Sequence, residues 1–253
     1  MKEENRFTIE TKTLIDAFKK TSHSVSKIET RPILTGVRLY QDVGGLSMVS
    51  TDAHRLSLVS GLSSVETLNE GIVIPGKTVK ELPMLIEDAK EVDISHDGGL
   101  LTVYSDNCII TSRTLDGNYP DTNRLIPNVE DAKTKVRVNR QGLIDSLERV
   151  SILADKKIVK AVIGGESDSM FDAIVLSQSN QELGSSEEQV LVEEIEGEDL
   201  TISFDSDYML DGLKALESEE VTIEFNTNSR PFVIREEIEG VNNLQLILPV
   251  RTF

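Results

Sequence analysis

Hydrophobic residues recur along this chain at two spacings, one typical of strands and the other typical of helices. At the start, Phe7 and Ile9 alternate with polar residues, and Leu14, Ile15 and Phe18 then follow at helical spacing. The pattern predicts a short strand that leads into a helix from Thr11 to about Thr21. Three alternating stretches come next and predict an antiparallel meander, with strands at Ile33–Tyr40, Gly45–Ser50 and Arg55–Ser60.

A second strand and helix follow this meander. The apolar stretch Gly71–Pro75 predicts a short strand, and apolar residues at helical spacing predict a helix from Lys77 to Ala89. Pro83 lies inside that helix and should kink or shorten it. The stretch from Asp116 to Pro127 contains too many Gly, Pro and Asn residues for either element, and we interpret it as a linker. Three more strands are predicted before it, at Glu91–Ser95, Leu100–Ser105 and Cys108–Thr114.

The same order of elements begins again after the linker. Val136–Asn139 predicts a strand that enters a helix at Arg140–Ala154, and Asp199–Phe204 leads into a helix at Ser206–Glu217. Corresponding elements are roughly 128 to 136 residues apart. The repeat predicts an α+β chain of two tandem domains of one fold, residues 1–128 and 129–253. Each domain would pack two helices on antiparallel sheets. The other predicted strands of the second copy are Ile174–Gln178, Val190–Ile195, Val221–Phe225, Phe232–Arg235 and Leu244–Leu248.

Acidic residues outnumber basic residues, and the two kinds are distributed differently. The chain has 44 Asp and Glu against 26 Lys and Arg, a net charge of -18, which ordinarily argues against a nucleic-acid ligand. The acidic residues concentrate in 182–199 and 217–239, whereas many basic residues lie on or beside the predicted helices. Two interpretations remain open. The lysines are either solvated helix faces or a surface that faces DNA.

Cysteine and histidine content excludes several kinds of site. Cys108 is the single cysteine, so no intramolecular disulfide can form and a reducing compartment is expected. One Cys and three His argue against a zinc site, and nothing in the sequence predicts a metal or another cofactor. No run of about 18 apolar residues is present, which predicts a soluble cytoplasmic protein without a membrane partner.

Two stretches depart from the regular pattern. The polar corner Thr51–Arg55 interrupts two alternating strands and contains Asp52, His54 and Arg55. These residues could form a catalytic cluster, but no nucleophile or metal-ligand motif lies at suitable spacing, so we favour a binding or structural corner. The end of the chain, Leu244–Phe253, is apolar to its last residue, although chain ends are usually polar and frayed. This tail must pack against the protein or be held.

Several motifs resemble those of a known family. Thr51-Asp-Ala-His-Arg-Leu56, Leu115-Asp-Gly-Asn-Tyr-Pro-Asp121 and Leu246-Ile-Leu-Pro-Val-Arg251 look like signature stretches of the bacterial sliding clamp, the beta subunit of DNA polymerase III. Tyr208–Leu216 and Arg230–Ile234 are similar to further parts of its last domain. Chains of this family usually have three domains, and this chain resembles only the second and third. Its start at Met1 favours a naturally short homologue over a trimmed chain.

The resemblance implies a function without catalysis. It implies a ring-shaped processivity factor that encircles duplex DNA irrespective of sequence, with helices inside and sheets outside. The implied protein partners are a clamp loader, DNA polymerase and other clients, which bind through a peptide of the Gln-Leu-x-Leu-Phe type. Ala53 stands where the family usually has Gly. The implied peptide groove would use Leu34, Thr51, Ala53, His54, Arg55, Leu56, Pro120, Arg124, Leu125, Pro231, Ile247, Leu248, Pro249, Val250 and Arg251.

The resemblance also implies DNA contacts and self-association. Two-domain chains would reach the six domains of the family's rings as homotrimers, with a homodimer as the alternative. A hydrolase built on Asp52 and His54, and a decoy that binds clamp clients without encircling DNA, stay open as other functions. The residues expected to face DNA are Lys12, Lys19, Lys27, Arg31, Lys77, Lys80, Arg140, Arg149 and Lys156.

Overall fold

Two compact units divide the chain. A computed structural model of the protein describes residues 6–63, 68, 71–153, 157–164, 172–180 and 184–251. The first unit comprises Met1–Thr122 together with Glu237–Asn243, and the second comprises Asn123–Glu236 together with Leu244–Phe253. The α+β fold with two tandem domains, predicted from the repeat, is confirmed.

The first unit packs two helices against antiparallel strands. Its sheets have the orders β1-β6-β7-β8 and β4-β3-β2-β5. Leu14 and Phe18 from the first helix and Val79 and Leu82 from the second are buried in one core with the inward residues of both sheets. The elements are α1 (Thr11–Ser22), α2 (Gly76–Ile86), β1 (Arg6–Glu10), β2 (Gly36–Asp42), β3 (Gly45–Thr51), β4 (Arg55–Ser60), β5 (Ile72–Pro75), β6 (Glu91–Asp97), β7 (Leu100–Tyr104) and β8 (Ile109–Arg113).

The second unit repeats this arrangement. One sheet has the order β12-β11-β10-β14, and another runs β13-β9-β15-β16, with β17 following β16. Leu143 and Leu147 of one helix and Met209 and Leu213 of the other are buried in its core. The elements are α3 (Arg140–Val150), α4 (Ser206–Lys214), β9 (Thr134–Asn139), β10 (Ile158–Ile163), β11 (Ala173–Asn180), β12 (Gly184–Leu191), β13 (Glu194–Gly197), β14 (Leu200–Asp205), β15 (Glu220–Phe225), β16 (Phe232–Ile238) and β17 (Val241–Ile247). The end of β16 and the start of β17 fall within Glu237–Asn243, which group with the first unit.

The strand assignments need two corrections. Strand β10 was not predicted, although Val159, Ala161 and Ile163 alternate inward along it. The predicted strand Val190–Ile195 is wrong, because β12 ends at Leu191 and β13 begins at Glu194 in a different sheet. The backbone N–H groups between these strands donate elsewhere, that of Val192 to the Asp172 carbonyl and that of Glu193 to the Arg137 carbonyl.

Helix ends also differ from the apolar pattern. Helix α2 ends at Ile86 rather than Ala89, and a turn follows in which the Ala89 N–H donates to the Ile86 carbonyl. The first meander strand begins at Gly36, because Pro32–Thr35 forms a 3-10 turn. Helix α3 is followed by a 3-10 turn at Ser151–Leu153, and its predicted end at Ala154 lies outside the described residues. Helix α4 ends at Lys214 rather than Glu217.

The linker is divided between the units. Residues 123–128, which the sequence pattern placed in the first domain, group with the second unit. A guanidinium nitrogen of Arg235 donates to the Pro127 carbonyl at 2.8 Å, and the Asn226 amide donates to the Asp131 carbonyl at 2.7 Å. The first bond attaches the end of the linker to β16, and the second holds the turn after the linker next to the end of β15. Across the described residues, no helix is long and apolar enough to cross a membrane.

Candidate functional site

The corner between β3 and β4 is built by its own side chains. One carboxylate oxygen of Asp52 accepts from the backbone N–H groups of His54 and Arg55, at 2.9 and 3.0 Å. The other accepts from Nε of Arg55 at 3.1 Å. The Thr51 hydroxyl donates to the Arg55 carbonyl at 2.7 Å and accepts from the Ala53 N–H at 3.1 Å. Because Asp52 is committed to shaping the turn, this geometry does not favour a hydrolase that uses it as a base.

The same turn leaves two residues on the surface. Ala53 has a positive φ of 77° and is exposed, and His54 beside it is exposed as well. Arg55, by contrast, is buried and its guanidinium donates to the His23 carbonyl at the end of α1. The motif therefore separates into a buried frame and a short exposed ridge. Only the ridge can meet a partner without rearrangement.

A buried polar network joins the corner to α1. The Ser57 hydroxyl lies 2.6 Å from the Ser24 hydroxyl and 3.0 Å from Nε2 of His23. The Ser50 hydroxyl donates to the Thr21 carbonyl at the last turn of the helix. Helix C-termini leave carbonyl groups without intrahelical partners, and these side chains bind that region. The position of the corner is thus fixed by α1 as well as by its own strands.

The residues that the sequence assigned to a peptide groove are divided between the two units. The corner patch, on the first unit, consists of Leu34, Thr51, Ala53, His54, Arg55, Leu56 and Pro120. The tail patch, on the second unit, consists of Arg124, Leu125, Pro231, Ile247, Leu248, Pro249, Val250 and Arg251.

Each patch combines buried supports with exposed positions. Leu34 and Leu56 are buried in the corner patch, and Pro120 is exposed. Ile247 is buried in the core behind the tail patch, while Leu125 is 51% exposed and Leu248 is 37% exposed. Pro231, Pro249 and Val250 are half-buried, and Arg124 and Arg251 are exposed.

The apolar tail is held, as its composition requires. The Val250 N–H donates to the Ser203 carbonyl on β14 at 2.7 Å. This bond continues the attachment of the chain beyond β17 and keeps Leu248 and Pro249 against the second unit. The last two residues, Thr252 and Phe253, lie outside the described residues.

Tyr119 anchors the linker. Its hydroxyl donates to the Val49 carbonyl at 3.4 Å, and the Arg38 guanidinium lies 6.0 Å from its ring centroid. Burial raises the pKa of the Tyr119 hydroxyl, and a hydrogen bond with the backbone of Thr51 acts in the opposite direction. Pro120, the next residue, is thereby positioned on the surface of the first unit. The breaker-rich sequence around Tyr119 was the available signal.

Basic residues expected to face DNA are exposed on the first unit. Lys12 and Lys19 project from α1, and Lys19 lies 3.8 Å from Asp16. Lys77 on α2 lies 4.0 Å from Glu81. The side-chain ion pairs at these positions are solvated, so they leave the lysines accessible. The six exposed residues of this set are Lys12, Lys19, Lys27, Arg31, Lys77 and Lys80.

The basic residues predicted on the second unit have partners within the protein. Arg140 donates from Nε to the Ser218 carbonyl at 2.8 Å and from a terminal nitrogen to the Leu213 carbonyl at 3.4 Å. Arg149 forms an ion pair with Glu188 at 3.0 Å, and this hydrogen-bonded contact lowers the pKa of the Glu188 carboxyl. Lys156 lies outside the described residues. Within the part of the chain that is described, no His, Cys, Asp and Glu group is arranged to hold a metal ion.

Sequence comparison assigns both units to one family. Residues 8–121 match the model of the DNA polymerase III beta subunit, central domain, and residues 123–251 match that of its C-terminal domain. The beta sliding clamp of Bacillus subtilis is 38% identical over 258 residues, and that of Staphylococcus epidermidis is 35% identical over 246 residues. These matches cover 100% and 96% of this chain but only 66% and 63% of the relatives.

Comparison of structures leads to the same family. The crystal structure of the DNA polymerase sliding clamp from Bacillus subtilis superposes with a TM-score of 0.89 at 37% identity. The superposition covers 100% of this chain and 66% of that one. The similarity therefore extends over both units.

Proposed function

Because the chain belongs to the DNA polymerase III beta subunit family, of which it carries the central and C-terminal domains, we propose that it is a DNA sliding clamp. The proposed clamp has no catalytic activity and no cofactor. It encircles duplex DNA in the cytoplasm and tethers a polymerase or another client to the template. Contacts between exposed basic side chains and phosphates suit this task, because they attract DNA without reading its sequence.

The observation that carries the proposal is the placement of basic side chains on an acidic protein. The net charge is -18, yet α1, α2 and the loop after α1 present six exposed lysines and arginines. The segments richest in acidic residues, 182–199 and 217–239, lie elsewhere in the chain. Arg140 and Arg149 have hydrogen-bond partners within the protein. We therefore expect these two arginines to contribute less to DNA binding than the exposed lysines of the first unit do.

Retention on closed circular DNA tests this function. The chain should stay on a nicked circle and slide off after linearisation, because topology rather than ion pairing prevents its escape. Retention on the linear template should fall steeply with salt, and retention on the circle much less. Equal loss from both templates at every salt concentration would refute encirclement.

A matched pair of variants tests the DNA-facing surface. Replacing Lys12, Lys19 and Lys80 with Ala should reduce the salt dependence of binding to linear DNA and weaken that binding several-fold. Replacing Lys90, Lys133 and Lys160 with Ala changes the charge equally but removes exposed lysines outside the helices. We expect this control triple to bind nearly as the parent does.

The proposal extends to client binding at the corner patch and the tail patch. Their exposed apolar positions, Pro120, Leu125 and Leu248, are suited to the leucine and aromatic side chains of a client peptide. Buried neighbours such as Leu56 and Ile247 give these positions a rigid support. A preformed surface of this kind limits the entropy lost on binding.

Peptide titration tests the contribution of the tail patch. A client peptide should bind the parent chain with micromolar affinity. Leu125→Ala, Leu248→Ala and deletion of the chain from Pro249 should each reduce the binding free energy of this peptide by about 1–3 kcal/mol. Val43→Ala is the control, because Val43 is fully exposed in the β2–β3 turn and belongs to neither patch. Unchanged affinity in the tail variants would limit the tail to a structural role.

We further propose that three copies of this two-domain chain form the ring and that a clamp loader opens it. Three copies supply six domains, two from each chain, through one repeated head-to-tail contact. Light scattering over a concentration series should show trimers that dissociate on dilution. A stable dimer would contradict this assembly.

In one alternative function, the chain binds clamp clients but is not retained on DNA. The acidic net charge and the internal partners of Arg140 and Arg149 favour a decoy that occupies clamp clients. Such a chain would bind the peptide normally and never remain on a circular template. The two assays above, performed on the same preparation, distinguish the decoy from the clamp.

A further inference from the structure

His23 follows the last residue of α1 and contacts the corner between β3 and β4 through both its backbone and its side chain. Its carbonyl accepts a hydrogen bond from the Arg55 guanidinium. Nε2 of its imidazole lies 3.0 Å from the Ser57 hydroxyl on β4. Histidine is the side chain whose ordinary change of charge falls between about pH 5 and 8. A titratable ring is thus attached to the frame that supports the exposed ridge of Ala53 and His54.

The groups that contact His23 are buried, whereas the histidine itself is half-buried. Ser57 is 0% exposed, Ser24 is 1% exposed and Arg55 is 6% exposed. Charges interact more strongly among groups that are shielded from water than at the surface. A change of charge on His23 therefore acts on this frame with less screening than the exposed ion pairs of the molecule experience.

The two serines restrict how the imidazole can bond. The Ser57 hydroxyl lies 2.6 Å from the Ser24 hydroxyl as well as 3.0 Å from Nε2 of His23, and it has one proton to donate. A neutral imidazole either accepts this proton at Nε2 or donates its own, whereas a protonated imidazole only donates. To keep both contacts when His23 is protonated, Ser57 must accept from the ring and donate to Ser24.

Protonation of His23 also adds a positive charge close to that of Arg55. The Arg55 guanidinium binds the His23 carbonyl, and its Nε donates to the Asp52 carboxylate at 3.1 Å. Repulsion between the two cations opposes the bond from Arg55 to the His23 carbonyl. Asp52 is affected in turn, because its carboxylate accepts both from Arg55 and from the backbone N–H groups of the turn.

The surrounding charges give this effect its sign. Strand β3 carries no charged residue, and β4 carries only Arg55. Basic groups outnumber acidic groups on the other segments near His23, so an added proton meets a predominantly positive environment. These groups are Lys12, Asp16, Lys19 and Lys20 on α1, Lys27, Glu29 and Arg31 in the loop after it, Asp52 at the corner, and Lys77, Lys80 and Glu81 on α2.

We propose that His23 is a positioning residue for client binding, which holds the corner patch in its binding form while the imidazole is neutral and releases it on protonation. This inference rests on the proposed client binding and adds its regulation by pH. Client binding favours the neutral ring, so a lower pH opposes binding. The affinity for clients therefore falls as the pH drops through the titration of His23.

Peptide titration at two pH values is the main test. The probe is Gln-Leu-Ser-Leu-Phe with acetylated and amidated ends, which has no group that titrates near neutral pH. The chain carries His54→Gln, because His54 lies exposed on the ridge and would add a pH dependence of its own. The dissociation constant should be roughly threefold to tenfold higher at about pH 5.5 than at about pH 7.5.

A second histidine substitution assigns this ratio to one residue. Added to His54→Gln, His23→Gln should bring the ratio of the two dissociation constants below about twofold, because glutamine can hydrogen-bond to Ser57 without taking up a proton. His96→Gln, on β6 of the same unit, is the matched control and should leave the ratio unchanged. Loss of the ratio with His96→Gln, or its persistence with His23→Gln, would overturn the inference.

A fixed charge provides a measurement at a single pH. At about pH 7.5, His23→Lys should bind the peptide roughly threefold to tenfold more weakly than His23→Met, because only the lysine keeps a positive charge beside Arg55. Urea unfolding of both variants shows that the folded chain is compared. Equal affinities of the two folded variants would contradict a role for the charge.

The outcomes separate this inference from the proposed function. Peptide binding that does not change between the two pH values overturns the role of His23 and leaves client binding intact. The absence of peptide binding at both pH values refutes client binding and the inference together. A chain that binds the peptide with the expected pH dependence but leaves circular DNA freely upholds the role of His23 and supports the decoy.

Discussion

Ala53 holds the corner between β3 and β4 in a backbone conformation that suits glycine better than alanine. Its φ of 77° brings the methyl group close to the following carbonyl, a cost of about 1–2 kcal/mol for residues with a Cβ. The hydrogen bonds of Thr51 and Asp52 to the turn hold the backbone there. The strain is local to the ridge that is proposed to meet client peptides.

Ala53→Gly should therefore stabilise the chain by about 0.5–1 kcal/mol, since relief of strain exceeds the larger entropy of glycine in the unfolded state. Urea unfolding measures the change. Ala132→Gly is the control, because Ala132 has an ordinary extended backbone (φ -68°, ψ 123°) and the same substitution should destabilise there. Destabilisation by both substitutions would show that the corner is not strained.

Asp93 gives the first unit an acid-sensitive contact. The hydroxyl of Thr8 donates to its carboxylate, and Arg6 donates to the other oxygen, and together they lower the pKa of Asp93. A carboxyl with a lowered folded pKa stabilises the protein above its unfolded pKa of about 4 and loses this contribution as pH falls through the folded value. Asp93→Asn should reduce the free energy of unfolding at neutral pH. It should also make that free energy fall less steeply as the pH is lowered, which urea unfolding at a series of pH values measures. An unchanged pH dependence would contradict this assignment.

Among the elements, α4 depends on a residue far away in the chain. Arg140, at the start of α3, donates to the carbonyls of Leu213 and Ser218 at and beyond the end of α4. Charged donors at a helix C-terminus bind carbonyls that have no intrahelical partner. The internal hydrogen bonds of Arg140 explain why a basic residue predicted to face DNA is only half exposed.

Arg140→Ala should accordingly destabilise the second unit by about 1–3 kcal/mol, as expected for loss of hydrogen bonds from a charged donor. Arg149→Ala removes an arginine of the same helix whose guanidinium pairs with Glu188 on the surface, and it should change stability little. Thermal unfolding of both variants tests the contrast. Equal effects would contradict the helix-capping role of Arg140.

For the whole molecule, net charge opposes self-association. Copies with a charge of -18 repel one another, and this repulsion acts over about 30 Å at 0.01 M salt but only about 10 Å at 0.1 M. We expect association to strengthen as salt rises through this range, even though ion pairs at the contact between copies are themselves weakened. Sedimentation velocity at the two salt concentrations decides which effect dominates. Weaker association at higher salt would show that local ion pairs outweigh the net charge.

The sequence by itself determined the elements and their repetition. Apolar spacing is a local property, so α1, the meander and the tandem order of two similar domains could be predicted without coordinates. Strand β10 was missed although Val159, Ala161 and Ile163 alternate, because Lys160 and a small residue weaken the signal. The motifs around Thr51, Tyr119 and Pro249 were sufficient to suggest the family.

Only the tertiary structure decided what each polar residue does. Asp52 and Arg55 build the corner, while Ala53 and His54 form its exposed ridge, although all four stand together in one motif. Arg140 donates to backbone carbonyls that lie more than seventy residues away in the sequence. The order of the strands in each sheet likewise depends on which segments lie beside one another. The physical reason is that hydrogen-bond partners and strand neighbours are set by packing between distant segments, which the local pattern of a sequence does not contain.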